Sequence, residues 1–122
     1  AAGDARVVEW DPRDPDRACK ATPVRQVTNF YACYGDEVLP NQKNDELGHG
    51  KERAVAIADV LDAHTGAQDE TIAWEALRAA AQEPNPEDIT SNTQWSVVFD
   101  NTEPAAAITL RRHWGDADAF AL

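Results

Sequence analysis

The 122 residues make a chain of one-domain length, long enough to bury a hydrophobic core. Its 22 acidic residues outnumber 11 basic ones, and the net charge of −11 disfavours nucleic acid and anionic membrane surfaces as partners. Hydrophobic residues make up 43%, as in folded proteins, and no run approaches the ~20 apolar residues of a membrane helix. The acidity fits a soluble protein of ordinary, halophilic or secreted origin, so the compartment stays open.

The sequence begins "AAGDARVVEW" and contains no methionine, and no basic start precedes an apolar core as in a signal peptide. Both features are expected of a processed or excised segment. We therefore expect residues 1–122 to form a single domain or a subunit fragment.

Two cysteines, Cys19 and Cys33, are the thiols of the chain. Their spacing matches no zinc pattern, and neither His49, His64 nor His113 lies at a ligand-like interval from them. No metal or other cofactor is therefore predicted. The pair is interpreted either as two free thiols or as a disulfide of an extracytoplasmic protein.

Short strands and a loop are predicted for the first quarter of the chain. "ARVVEW" (residues 5–10) indicates a strand, and the proline-rich, charged stretch 11–23 indicates a long surface loop. The β-branched and aromatic stretch "VRQVTNFYA" (residues 24–32) predicts a second strand. If the strand continues, alternation places four side chains on one face: Val27, Asn29, Tyr31 and Cys33.

A helix is predicted from Gly50, with Gly66 where a C-terminal cap would lie. Its apolar stripe consists of four residues at helical spacing: Ile57, Val60, Leu61 and His64. One turn before Ile57, that stripe reaches Arg53. An arginine therefore enters the helix on the side that faces the protein.

A second helix and a hairpin are predicted for the rest of the chain. Residues 69–82 have helical periodicity, with Asp69 as the N-cap and an inward face of Ile72, Ala73, Ala76, Leu77 and Ala80. "TQWSVVFD" and "AAAITLRR" alternate like two antiparallel strands joined by "NTEP". The order strand, strand, helix, helix, strand, strand predicts an α+β layer structure with a four-stranded sheet.

Familiar catalytic motifs are missing from the sequence. There is no nucleophile elbow, and "GHGKER" lacks the upstream glycine of a phosphate-binding loop because Asp45 stands there. The four candidate nucleophiles have no histidine at a recognisable interval to act as base; they are Ser91, Ser96, Cys19 and Cys33. Neither nucleotide binding nor a local catalytic triad is therefore predicted.

Asn29 and Arg53 are the polar residues whose positions need an explanation. Asparagine is depleted in strands, so Asn29 is interpreted either as a satisfied strand-end amide or as a donor to a developing oxyanion. Arg53 either pairs with nearby acids such as Asp45 or Glu46, or directs a partly buried guanidinium at an active-site polar group.

Three motifs in order give the chain a resemblance to a known family. "VTN" (residues 27–29), "GHGKERAVAIADVL" (residues 48–61) and "SNTQWSVVFDNTEPAAAITL" (residues 91–110) follow one another with a second helix between the last two. Residues 24–110 thus resemble the C-terminal part of the cysteine N-terminal-nucleophile (Ntn) amide hydrolases. This superfamily includes the choloylglycine hydrolases, the penicillin V acylases and the isopenicillin N acyltransferase group.

The resemblance implies a four-layer αββα sandwich and cleavage of linear, non-peptide amide bonds, or acyl transfer, by an N-terminal cysteine released by self-processing. By motif position it assigns the oxyanion hole to Asn29 and the organisation of the nucleophile's surroundings to Arg53. It implies no cofactor, a small acylated amine or amino-acid substrate, and possible homo-oligomers.

The nucleophile of that family is missing from the matching positions, since residue one is Ala1 and neither cysteine begins the chain. In an extended strand, Cys33 would lie about 13 Å from Asn29, too far to share one oxyanion. The resemblance therefore implies a partner, the nucleophile-bearing N-terminal segment or subunit of the same enzyme. The alternative is a free-standing acidic α+β binding module without catalysis.

Overall fold

The structure, a computed structural model, describes residues 5–11, 13–38, 50–67, 69–89 and 92–122. The chain is a small α+β domain with two antiparallel sheets and two long helices, α2 and α3. It divides into two compact units, an N-terminal unit, Ala1–Ala58, and a C-terminal unit, Asp59–Leu122. In chain order the elements are β1 Arg6–Trp10, β2 Cys19–Pro23, the one-turn α1 Gly35–Val38, α2 Gly50–Ala63, α3 Glu70–Ala79, β3 Trp95–Asp100, β4 Ala105–Leu110 and β5 Asp118–Ala121.

The N-terminal unit contains a two-stranded antiparallel ribbon. β1 confirms the first predicted strand and pairs with β2, from Arg6 opposite Pro23 to Trp10 opposite Cys19. The predicted loop over residues 11–23 is thus wrong for its last five residues, which form β2. The carboxylate of Asp14 accepts hydrogen bonds from the backbone N–H groups of residues 16 and 18, and this turn directs the chain back along β1.

The strand predicted over residues 24–32 is wrong. This segment has isolated bridge positions at Thr28 and Phe30 and no regular strand. Side chains find local partners instead, since the Phe30 ring lies directly on Gly35 and the Thr28 hydroxyl bonds the start of α2. These contacts outweigh the β-propensity of the sequence. The expected shared face with Asn29 and Cys33 therefore does not form, and the separation of about 13 Å, which assumed a strand, loses its basis.

Both predicted long helices are confirmed. α2 begins at Gly50 and ends at Ala63. α3 begins after Asp69, whose Oδ1 accepts a hydrogen bond from the backbone N–H of Ile72 at 3.1 Å, as expected of an N-cap. Ile72 and Ala76 are buried, and the other predicted inward residues of α3 are half-buried.

The C-terminal unit contains a three-stranded antiparallel sheet in the order β3-β4-β5. The predicted hairpin is confirmed, from Trp95 opposite Leu110 to Asp100 opposite Ala105. β5 was not predicted, and it pairs with the free edge of β4 after Arg111 and Arg112 turn the chain at positive φ. The expected single four-stranded sheet is therefore wrong, because strands of the two units form separate sheets.

The two faces of the three-stranded sheet differ sharply. One face carries the buried side chains of Ser96 and Thr109, and α3 packs against β3. The other face carries four large apolar side chains that are each more than half exposed: Trp95, Phe99, Leu110 and Phe120. A sheet face of this composition is usually covered in a complete protein.

Candidate functional site

The start of α2 lies directly on Asn29. The Thr28 hydroxyl donates a hydrogen bond to the carbonyl oxygen of Gly50 at 2.7 Å. Gly50 is buried, and a Cβ atom placed on it would lie 2.5 Å from Asn29 Oδ1 and 2.7 Å from the Asn29 carbonyl oxygen. Only a residue without a side chain allows the helix to approach this closely.

Asn29 and Arg53, both selected from the sequence, are in direct contact. Arg53 lies in the first turn of α2, and its Nη2 donates a hydrogen bond to Asn29 Oδ1 at 2.6 Å. A guanidinium has donors and no acceptor, so the Asn29 atom that faces it must be the oxygen. The Nδ2 group, with its two N–H donors, is therefore on the far side of the amide from Arg53.

The electrostatics of this pair favour donation by Asn29. A charge-assisted hydrogen bond is roughly twice as strong as a neutral one, and the positive guanidinium draws electron density toward Oδ1. That polarisation makes the N–H groups of Nδ2 better donors. Because Asn29 is exposed, a bound molecule can reach it. Asp45 and Glu46, the alternative partners expected for Arg53, lie outside the described residues.

Two backbone N–H groups near Cys33 form a second anion-binding arrangement, which is already occupied. The Glu9 carboxylate accepts hydrogen bonds from the N–H of Ala32 at 2.8 Å and of Cys33 at 2.7 Å. Burial pushes the pKa of Glu9 up, but these hydrogen bonds outweigh burial and hold that pKa below its ordinary value of 4.5. Since Glu9 occupies both donors, they are not an oxyanion hole in this structure.

The cysteines are free thiols, so the disulfide alternative is wrong. Cys33 Sγ donates a hydrogen bond to the hydroxyl of Thr22 at 2.8 Å, and Cys19 is exposed. Sequence reasoning missed Glu9 because a glutamate in an alternating strand such as β1 usually points into solvent. Its position opposite a turn is a tertiary feature that no local pattern shows.

A groove of about 650 Å³ lies within the N-terminal unit. One wall consists of Ala5 and residues 22–28 and 30–32, and the other is made by four residues of α2, namely Lys51, Ala54, Val55 and Ala58. Neither Asn29 nor Arg53 lines it. The ammonium of Lys51 lies 5.5 Å from the centre of the Phe30 ring, a cation–π distance.

The remaining candidates among the described residues do not assemble into a site. Ser96 is buried on one face of the three-stranded sheet, and Ser91 and His49 lie outside the described residues. His64 lies beside Glu75, with 3.4 Å between Nε2 and Oε2. Where the structure describes the chain, no group of three or more histidine, cysteine or acidic residues is placed to hold a metal ion, and no helix has the length and apolarity to cross a bilayer.

Comparisons with known proteins do not assign the chain to a family. It matches no protein-family model, and neither curated proteins nor solved structures give a significant match. Its function must therefore be argued from the geometry of its own residues.

Proposed function

We propose that the chain is the C-terminal part of a cysteine Ntn hydrolase or acyltransferase that acts on linear amide C–N bonds. The observation that carries the proposal is the 2.6 Å hydrogen bond from Arg53 to Asn29. These residues stand 24 positions apart, and they are the two to which the family resemblance assigns active-site roles. Their contact gives the arginine a specific task, which is to fix the orientation of the asparagine amide.

In the proposed reaction, a cysteine thiolate attacks the carbonyl carbon of the amide, and the electron pair of the C=O bond moves to the oxygen. Asn29 Nδ2 donates to that oxyanion. When the intermediate collapses, the C–N bond breaks and the amine leaves with a proton from the α-ammonium of the cysteine. Water, or a second amine in acyl transfer, then attacks the thioester and releases the thiol.

The exposed face of the three-stranded sheet supports the sandwich architecture that this proposal requires. With α3 on one face, an αββα sandwich would place a second sheet on the other. The exposed side chains of Trp95, Phe99, Leu110 and Phe120 supply the apolar surface for such packing. Under the proposal, part of this covering layer belongs to the nucleophile-bearing segment or subunit.

The proposal is tested in the enzyme assembled with that segment, using kcat and KM for N-acyl amino acids and other small N-acyl amines. Asn29→Asp keeps the shape and the acceptor for Arg53 but removes both N–H donors. Loss of one oxyanion donor lowers kcat by roughly 10²- to 10³-fold, and we expect this drop with little change in KM. The 122-residue chain alone should show no turnover.

The matched control is Asn85→Asp, because Asn85 is an exposed asparagine whose Oδ1 accepts a backbone hydrogen bond far from this pair in sequence. We expect it to leave kcat unchanged. If Asn29→Asp retains the parent kcat while the assembled enzyme is active, Asn29 has no role in the oxyanion hole. Turnover by the isolated chain would remove the need for an external cysteine and contradict the proposal.

A further inference from the structure

The groove of the N-terminal unit lies on a different side of α2 from Arg53. The four α2 residues that line it have spacings of three and four, which place them on one helix face. Since successive helix residues are about 100° apart, Arg53 projects in nearly the opposite direction from Lys51. On the facing wall, Asn29 is the single residue of the segment 22–32 that does not line the groove. The groove is therefore separate from the Asn29–Arg53 pair.

The charge of the groove is opposite to that of the chain. The charged residues in its lining are Arg25 and Lys51, and none of the lining residues is acidic. Over the whole chain, however, acidic residues outnumber basic ones 22 to 11. A local excess of cations on such an acidic protein attracts anions to this place and repels them elsewhere.

The rest of the groove suits a small apolar body. Nine of its fifteen lining residues are alanine, valine, proline or phenylalanine, including Val27 and Val55 at 62% and 52% exposure. Its volume of about 650 Å³ is within the range of roughly 300–1,000 Å³ found for small-molecule sites. Such sites combine an apolar lining with a few polar groups that orient the ligand.

We propose that the groove binds a small amphipathic carboxylate, with its apolar body along Val27 and Val55 and its carboxylate at Lys51 and Arg25. The Phe30 ring holds the Lys51 ammonium at the groove. An ammonium has three N–H donors and a guanidinium five, so each cation can add a carboxylate to the contacts it already makes. This site does not depend on the proposed hydrolase activity, and it is tested by binding rather than by turnover.

The test is a titration of the ¹⁵N-labelled 122-residue chain with hexanoate, octanoate and the uncharged 1-hexanol, followed by amide chemical shifts. The carboxylates are kept below their micelle concentrations and the alcohol below its solubility limit. We expect saturable shifts at Val27, Ala54, Val55 and Ala58. Octanoate should bind roughly fifteenfold more tightly than hexanoate, because it has two more CH₂ groups and each buried CH₂ is worth about a factor of four. Hexanoate should bind roughly three- to tenfold more tightly than 1-hexanol.

Lys51→Gln and Lys20→Gln form a matched pair of variants. Both lysines lie over an aromatic ring, with Lys20 5.7 Å from the centre of Tyr34, but only Lys51 lines the groove. Lys51→Gln should weaken hexanoate roughly three- to tenfold and leave 1-hexanol unchanged, whereas Lys20→Gln should change neither. Val55→Asp, at an exposed helix position, should abolish binding of both while the helical circular dichroism is retained.

The proposal is overturned by shifts that lie outside the groove or by the absence of saturable shifts. It is equally overturned if hexanoate and 1-hexanol bind alike and Lys51→Gln weakens neither. An equal loss of hexanoate affinity in Lys51→Gln and Lys20→Gln would show a general effect of net charge, and it would also contradict a carboxylate site at Lys51.

Discussion

The two units of the chain are stabilised in different ways. In the C-terminal unit, Leu61, Ile72 and Ala76 are buried, together with the sheet residues Ser96 and Thr109. In the N-terminal unit, the buried residues among those that the structure describes are Gly35 and Gly50. The N-terminal unit depends instead on close backbone approach and on hydrogen bonds from side chains. Apolar burial thus defines one unit, and polar contacts of fixed geometry define the other.

This difference explains why the candidate functional residues lie in the N-terminal unit. Hydrogen bonds fix direction, whereas apolar packing is non-directional, so a unit organised by polar contacts can hold an amide in one orientation. The Asn29–Arg53 pair and the groove both lie in the N-terminal unit. Three substitutions, in decreasing order of expected effect, test whether the two units depend on such different interactions.

The largest effect is expected for Gly50→Ala. Alanine normally stabilises a helix relative to glycine, but here the new Cβ would collide with the Asn29 backbone and side chain. We expect the free energy of unfolding to fall by about 2 to 3 kcal/mol, as for an overpacked site. Urea unfolding measures this change, and hydrogen exchange should show the loss of protection in β1 and β2 before β4.

Gly66→Ala is the control for Gly50→Ala, because a Cβ at Gly66 would meet nothing within 4 Å. We expect it to change the free energy of unfolding by less than about 1 kcal/mol. A Gly50→Ala variant as stable as the parent would mean that α2 moves away from Asn29 without cost.

An intermediate effect is expected for Thr109→Val in the C-terminal unit. Thr109 is 1% exposed, and its hydroxyl donates a hydrogen bond to the carbonyl oxygen of His113 at 2.7 Å. Valine keeps the volume but removes this buried hydrogen bond and leaves the carbonyl with its bond from the Asp116 N–H at 2.9 Å, which should cost about 1.5 kcal/mol in urea unfolding. Thr71→Val, at an exposed position of α3, is the matched control and should change stability by less than about 0.5 kcal/mol. Equal effects of the two variants would contradict a specific role for the buried hydroxyl.

The smallest effect is expected for Glu9→Gln, which should lower the free energy of unfolding by about 1 kcal/mol at neutral pH. The Glu9 carboxylate accepts hydrogen bonds from two backbone N–H groups, whereas the single amide oxygen of glutamine can accept from only one of them. The folded protein holds the pKa of Glu9 below its ordinary value of 4.5. The stabilisation that the Glu9 carboxylate provides is therefore complete above about pH 4.5, and it is lost as the pH falls through the lowered pKa of the folded state. The difference between parent and variant in urea unfolding should therefore shrink between about pH 7 and about pH 3.

Glu37→Gln is the comparison for Glu9→Gln. Glu37 forms an exposed ion pair with Arg13 at 3.0 Å, an interaction that contributes little to stability and is weakened by salt. If Glu37→Gln destabilises the chain as much as Glu9→Gln does, the bidentate contact of Glu9 has no special weight.

The sequence predicts those elements whose side chains reveal a buried face. α3 and the β3–β4 hairpin follow from periodicity because one side of each element is buried under its neighbours. β2 and β5 have no such pattern, since they are short and gain stability only from the strand beside them. The segment 24–32 is rich in β-branched and aromatic residues and still forms no strand, because Thr28 and Phe30 have partners that are close in space.

The residues of the candidate site also divide into those that the sequence predicts and those that it does not. Asn29 and Arg53 are found from sequence because their residue types do not suit the positions where they occur. Glu9 has an ordinary position in β1, so nothing marks it before the turn that it binds is known. The groove is missed because Ala54 and Ala58 interrupt the hydrophobic pattern of α2, and small side chains leave space without indicating it.

The exposed face of the β3-β4-β5 sheet also affects how the chain behaves in solution. Trp95, Phe99, Leu110 and Phe120 form a surface that favours self-association, while a net charge of −11 keeps the molecules apart. Charge repulsion weakens as salt shortens the Debye length, whereas apolar attraction persists. We therefore expect the chain to stay dispersed at low ionic strength and to associate increasingly as salt is added.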